Sequence, residues 1–270
     1  MHRALWIALS LLLLCACTPH EGGGGHTQAI VGAVLWDGAG GPPLSDSVVI
    51  VADGRIRAAG AHGSIAIPAD ADKIDGSGKY MVPEPIDVWS RAAPPAVTET
   101  QLESARESHT AAIAAATTPA ETEALVNRGA TAFVGMFRGG QEVDPELLGR
   151  MRNLKIVFAP ALASAGADLE IDKRNTARMF RAGIPIAAAS RGGDLYREAD
   201  LLSEAGIPAG DVIVCLTQNG ALALHELEQR GTIQAGKRAD LLLLSANPGE
   251  DTRNLRRVAG RMRAGDWIRQ

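Results

Sequence analysis

Imidazole is the commonest protein metal ligand and a frequent general base, so the six histidines are weighed first. They are scattered: His2 lies just before an apolar N-terminal run, His20 and His26 in a glycine-rich stretch, His62 in a turn, His109 at the start of a segment, and His225 alone on a helical period. Histidines spread in this way usually sit at surfaces and helix ends. A metal site built from His109 and His225 is the rarer reading that their separation in sequence leaves open. Cys215, inside "VIVCLT", reads as a buried core thiol, because no neighbouring base or cation in sequence would activate it as a nucleophile. The turn Arg191-Gly192-Gly193-Asp194 could present backbone N–H groups to an anion, but such a turn more often joins a strand to a helix, with Asp194 as its cap. The arginines between Arg253 and Arg269 could face anionic lipid; a solvated strand face is the commoner explanation.

The elements that must position these residues change character along the chain. Ala4 to Leu14 is apolar, follows Arg3 and is too short to span a bilayer, the pattern of a secretory signal. Leu14-Cys15-Ala16-Cys17 resembles a bacterial lipobox, which implies cleavage before Cys17 and its acylation; Cys15 is the weaker candidate, because bulky Leu14 precedes it. Several acyl chains, each burying methylenes at about 0.8 kcal/mol apiece, would hold the protein on a membrane. Residues 1–16 are thus expected to be signal and 17–28 a flexible, glycine-rich tether. With Cys17 acylated, no pair of thiols remains to staple the domain, so its stability must come from an apolar core.

Residues 29–82 alternate short β-rich runs with turns such as Asp37-Gly38 and Asp53-Gly54, predicting a small antiparallel sheet. From residue 83 to 230 strand and helix patterns alternate. "IDVWS", "ATAFVGMF", "KIVFAPAL" and "IPIAAAS" read as strands, and "SARESHTAAIAAATT" carries a buried apolar piece. "PAETEALVNRG", "DPELLGRMRN" (capped by Asp144), "IDKRNTARMFRAG" and "LYREADLLSEAG" read as helices, and residues 208–227 are helical by period. This alternation predicts a parallel sheet or barrel with helical crossovers. Residues 231–270 return to β texture.

Three stretches, "AIVGAVLWDGAGGPPLSDSVVIVADGRIRAAG", "IDGSGKYMVPEPID" and "GTIQAGKRADLLLLSANPGEDTRNLRRVAGRMRAGDWI", closely resemble the two ends of amidohydrolases of the imidazolonepropionase-like group. The most specific part is the G-x-I-x-x-G-K-x-A-D-L pattern at Gly231, Ile233, Gly236, Lys237, Ala239, Asp240 and Leu241. The resemblance implies an α/β fold: a small composite β-sandwich from both chain ends (29–82 and 231–270) and, between them (83–230), a truncated TIM-type (β/α) barrel. About five strands are visible where a full barrel takes about 250 residues. The missing strands would leave an open sheet edge, to be closed by collapse or by another subunit.

The same resemblance implies a metal-dependent hydrolase, yet the positions matching the family's ligands carry other residues. Trp89 and Arg91 stand where the first strand's two histidines fall, Ala115 or a neighbour in "AAIAAATT" and Gly135 where two further histidines fall, and Arg191 where the proton-transfer aspartate follows Ser190. None of these side chains replaces imidazole or carboxylate at a catalytic ion.

Two readings follow. In the first, the chain is a membrane-tethered lipoprotein of the bacterial cell envelope, on the outer membrane facing the periplasm. It is catalytically inactive, needs no cofactor, and binds a small ligand or partner or merely persists as a degenerate paralogue. In the second it is a working hydrolase of C–N bonds, such as those of cyclic amides or dipeptides, with zinc held by divergent ligands. Either way the membrane is a partner through the lipid anchor, self-association through the open edge is available, and a mildly acidic chain of net charge −4 is expected to bind no nucleic acid.

Overall fold

A computed structural model describes residues 26–92, 99–137 and 144–268. The signal, Cys17 and most of the tether lie outside these residues. The chain begins with strands β1 (Gln28–Leu35), β2 (Leu44–Ala52), β3 (Arg55–Ala61), β4 (Asp72–Asp75) and β5 (Tyr80–Pro83). It continues through α1 (Val88–Ala92), α2 (Glu99–Glu107), β6 (Ile113–Ala114), α3 (Pro119–Asn127), β7 (Ala132–Val134), α4 (Pro145–Asn153) and β8 (Val157–Ala159). A 3-10 turn at Leu162–Ser164 leads to α5 (Leu169–Arg181), α6 (Leu195–Glu204), α7 (Ala209–Leu216) and α8 (Gln218–Ala223). β9 (Leu241–Leu244), β10 (Val258–Arg263) and β11 (Asp266–Trp267) close the chain.

Both ends of the chain build one sheet, in the order β11-β10-β9-β5-β1-β2-β3 with β4 beside β1. It is mixed rather than purely antiparallel as expected, because β4 and β5 both run parallel to β1. The sheet curls until its two ends meet: Ile56 N–H donates to Lys237 O, Ala239 N–H to Gly54 O, and Gly265 packs on Gly54. The Asp53-Gly54 turn makes this approach possible. Both residues take positive φ (53° and 71°), as a two-residue hairpin requires, and a side chain at 54 would sit 2.7 Å from Ala264 O. At Asp37-Gly38 the expected hairpin is instead a longer loop leading to β2.

β9 explains how this sheet is joined to the rest. All four residues of Leu241–Leu244 are buried, which a strand with one wet face would not allow. Leu241 and Leu243 enter the core inside the curled sheet with Met81 and Met262, while Leu242 and Leu244 enter the core under the helices with Val82. The strand's period of two therefore ties the two halves of the molecule through one run of leucines.

The middle of the chain forms a parallel sheet in the order β6-β7-β8, extended by a single bridge between Phe158 and Ile186. Helices α3 to α7 cover one face. The inner face, made of small residues such as Ala132, Val157, Ala159, Ala187 and Ala189, is covered by Val88, Trp89 and the Leu222–Leu224 turn of the same chain. Three strands and a bridge stand where about five strands were expected. "IPIAAAS" contributes only that bridge, because Ala188 N–H turns to Cys215 O instead of continuing a ladder.

"IDVWS" is not a strand either. Asp87 Oδ1 accepts the Trp89 N–H at 3.0 Å, an aspartate cap that starts α1 in place of extended chain. Val88 N–H still reaches Ala188 O at 3.2 Å, so the segment lies beside residues 186–190 without joining a ladder. The predicted caps Asp144 and Asp194 are both in place. No helix among the described residues is long and apolar enough to cross a membrane.

Candidate functional site at the mouth of the parallel strands

In parallel α/β sheets ligands bind beyond the carboxyl ends of the strands, where the loops diverge. Here that edge carries Ala115 after β6, Gly135 after β7, Pro160-Ala161 after β8, and Ser190-Arg191 after the bridge at Ile186. Asp87 anchors it. Its Oδ1 accepts the Ser190 N–H at 3.0 Å as well as the Trp89 N–H, and its Oδ2 accepts the Ser190 hydroxyl at 2.5 Å. Ser190 Oγ in turn accepts the Gly192 N–H at 3.2 Å. One carboxylate thus fixes both the start of α1 and the turn that carries Arg191.

The mouth brings together three of the five singled-out positions. The Arg191 guanidinium lies 4.9 Å from the centroid of the Trp89 ring, a cation–π stack across the mouth. Arg191 and Gly135 also share the wall of a cavity of about 330 Å³, with Ser164, Asp168 and Asp172. Gly135 (φ +109°) has no atom within 4 Å of where a Cβ would point, so the space a larger side chain would take is open. Ala115 is exposed beyond β6 and does not line the cavity. Arg91 belongs to α1 by its backbone, and its side chain lies outside the description.

Two carboxylates here escaped the sequence reading. Asp172 sits on the buried stripe of α5 with Asn175, Thr176 and Met179, is 5% exposed, and leaves its Oδ1 with no hydrogen-bond partner. Burial, with the Asp168 charge beside it, pushes its carboxyl up to about 6. Glu198, on the apolar stripe of α6, is fully buried; its oxygens accept the Leu162 N–H at 2.9 Å and the Ala163 N–H at 2.8 Å, pinning the loop that walls the cavity. Burial drives Glu198 up to about 7 against the pull of those two donors. The available signal was a carboxylate on the i, i+3, i+4 line of an otherwise buried face, a placement rarely kept without a reason.

The donor set does not fit a catalytic divalent metal. Such a site takes three protein ligands from imidazole, carboxylate or thiolate, whereas the cavity offers two carboxylates with a guanidinium in the same wall. Among the described residues no three His, Cys, Asp or Glu side chains converge. His109 and His225 do meet, but at the opposite, amino-terminal edge, where the His225 ring nitrogen Nδ1 lies 3.1 Å from the His109 carbonyl. Cys215 is buried in the core, and burial pushes its thiol up, away from the reactive thiolate.

No family model matches the chain, and no curated protein matches it. Solved structures do. Molinate hydrolase superposes with a TM-score of 0.76 at 14% identity, over 91% of this chain and 95% of that one. Ochratoxinase of A. niger gives 0.77 at 13% identity, over 90% and 96%. An amidohydrolase gives 0.74 at 16% identity, over 90% and 98%. These neighbours are enzymes of the amidohydrolase superfamily, and at such identities the likeness is one of fold.

Proposed function

We propose that this chain is a lipid-tethered protein of the bacterial cell envelope, on the outer membrane facing the periplasm, that uses an amidohydrolase-like fold to bind a small molecule without hydrolysing it. The observation that carries the reading is the Trp89–Arg191 stack across the strand mouth. A guanidinium and an indole stand where hydrolysis would need groups that activate water on a metal. The Asp87–Ser190 hydrogen bonds hold that stack as built structure, and Gly135 keeps the neighbouring cavity open. An open cavity beside a dismantled ligand set favours retained binding over simple decay. Self-association through the edge strand β6 would engage only Ile113–Ala114, so the membrane, through acylated Cys17, is the partner we assign.

Two measurements test this. Cys17→Ala is expected to move the protein from the membrane to the soluble fraction; retention of the variant on membranes would overturn the tether. The purified protein, incubated with amide, dipeptide and cyclic ureide substrates, is expected to leave them intact, and turnover of any of them that scaled with protein concentration would overturn the binding-only reading.

A further inference from the structure

The cavity at the strand mouth is lined by charges of opposite sign that form no ion pair with each other among the described residues. On one wall Asp172, 5% exposed, has an oxygen without a partner, and Asp168 lies one helical turn before it. On another wall Arg191 makes no ion pair among the described residues, only its stack on Trp89. The two groups line one space of about 330 Å³ and do not bridge it themselves. Buried polar atoms are nearly always hydrogen-bonded in native proteins, and a desolvated carboxylate is the costliest exception. A cavity lined by a nearly buried carboxylate and by a guanidinium that forms no ion pair among the described residues is therefore a site shaped for something that satisfies both.

The charges narrow the class of ligand. An inorganic anion would meet Arg191 but be repelled by Asp168 and Asp172, and a divalent cation would find two carboxylates and a guanidinium opposing it. A molecule with an ammonium at one end and a carboxylate at the other would neutralise both walls, with charge-assisted hydrogen bonds at each. The cavity volume lies at the lower end of the range for small-molecule pockets, which suits a ligand of amino-acid size. We propose that the cavity binds a small zwitterion, its ammonium on Asp172 and Asp168 and its carboxylate on Arg191. This rests on the reading of the mouth as a binding site and adds the ligand's chemical class.

The test is calorimetric titration of the full-length protein, extracted in detergent, with a length series of zwitterions: glycine, β-alanine, γ-aminobutyrate and 5-aminopentanoate. The single-charge probes are butylamine and butyrate. At least one zwitterion is expected to bind below about 1 mM, with both single-charge probes weaker by about tenfold or more, the loss of one charge-assisted hydrogen bond. Asp172→Asn and Arg191→Gln should each cost that zwitterion about tenfold as well. Arg191 is exposed, so its variant keeps the test decisive should the buried Asp172 variant fail to fold. Absence of binding by the whole series, equal binding of a single-charge probe, or wild-type affinity in a folded variant of either residue would each overturn the inference. The metal content of the same preparation separates the two levels: failure of the series in metal-free protein removes only the zwitterion, whereas a stoichiometric transition metal removes the binding-only reading beneath it.

Discussion

Replacing Glu198 by glutamine should change the pH dependence of stability more than stability itself. The carboxyl is fully buried and raised from an ordinary 4.5 to about 7. Between those values the folded protein still holds a proton that the unfolded chain has released, so stability falls as pH rises through this window and levels off above it. At about 1.4 kcal/mol per pH unit, the wild type loses ~3 kcal/mol from this one group by pH 8. Glutamine has no such term. Its cost is local: one of the two N–H donors, Leu162 or Ala163, then faces an amide NH₂ instead of an acceptor, a penalty of about 1–3 kcal/mol. Glu198→Gln is therefore expected to be the less stable protein at pH 4.5 and to match or exceed the wild type at pH 8. Urea denaturation followed by circular dichroism at pH 4.5, 6, 7 and 8 reads the difference directly, because every other titrating group is common to both proteins. A stability difference that stays constant across that range would refute the reasoning.

Other expectations test the packing and the mouth. Leu243→Ala should cost about 2–5 kcal/mol in urea denaturation, since its side chain fills the curled sheet's core and leaves a cavity there; a loss below ~1 kcal/mol would show that the core collapses around the gap. The Trp89–Arg191 stack should yield a coupling of about 0.5–1 kcal/mol in a cycle of Trp89→Leu and Arg191→Ala, and additive single effects would dissolve it. Asp144→Ala should cost about 1 kcal/mol, because the aspartate accepts the Glu146 and Leu147 N–H groups at the start of α4; an unchanged midpoint would mean that the cap is idle.

Much of this architecture is legible in the residues. The caps at Asp144 and Asp194 and the Asp53-Gly54 hairpin follow from local chemistry that tertiary contacts leave alone. The strand mouth is less legible. "IDVWS" has a strand's composition, but Asp87 captures the N–H two residues on and starts a helix, and its partner Ser190 is distant in sequence. The resemblance drew attention to positions 89, 91, 115, 135 and 191, and the geometry joins 89 with 191 and 191 with 135. It gave no reason to inspect α5: the helical period places Asp172 on a buried face, but the missing partner of its carboxyl oxygen depends on tertiary contacts that no spacing encodes.

The central claim, binding without metal-assisted hydrolysis, is tested most directly by the metal stoichiometry of the full-length protein, expressed with added zinc and purified without chelator. The account predicts a folded, monodisperse protein carrying far less than one transition-metal ion per chain. One or more zinc ions per chain, removed by chelator together with amide hydrolysis and restored with it, would contradict the account.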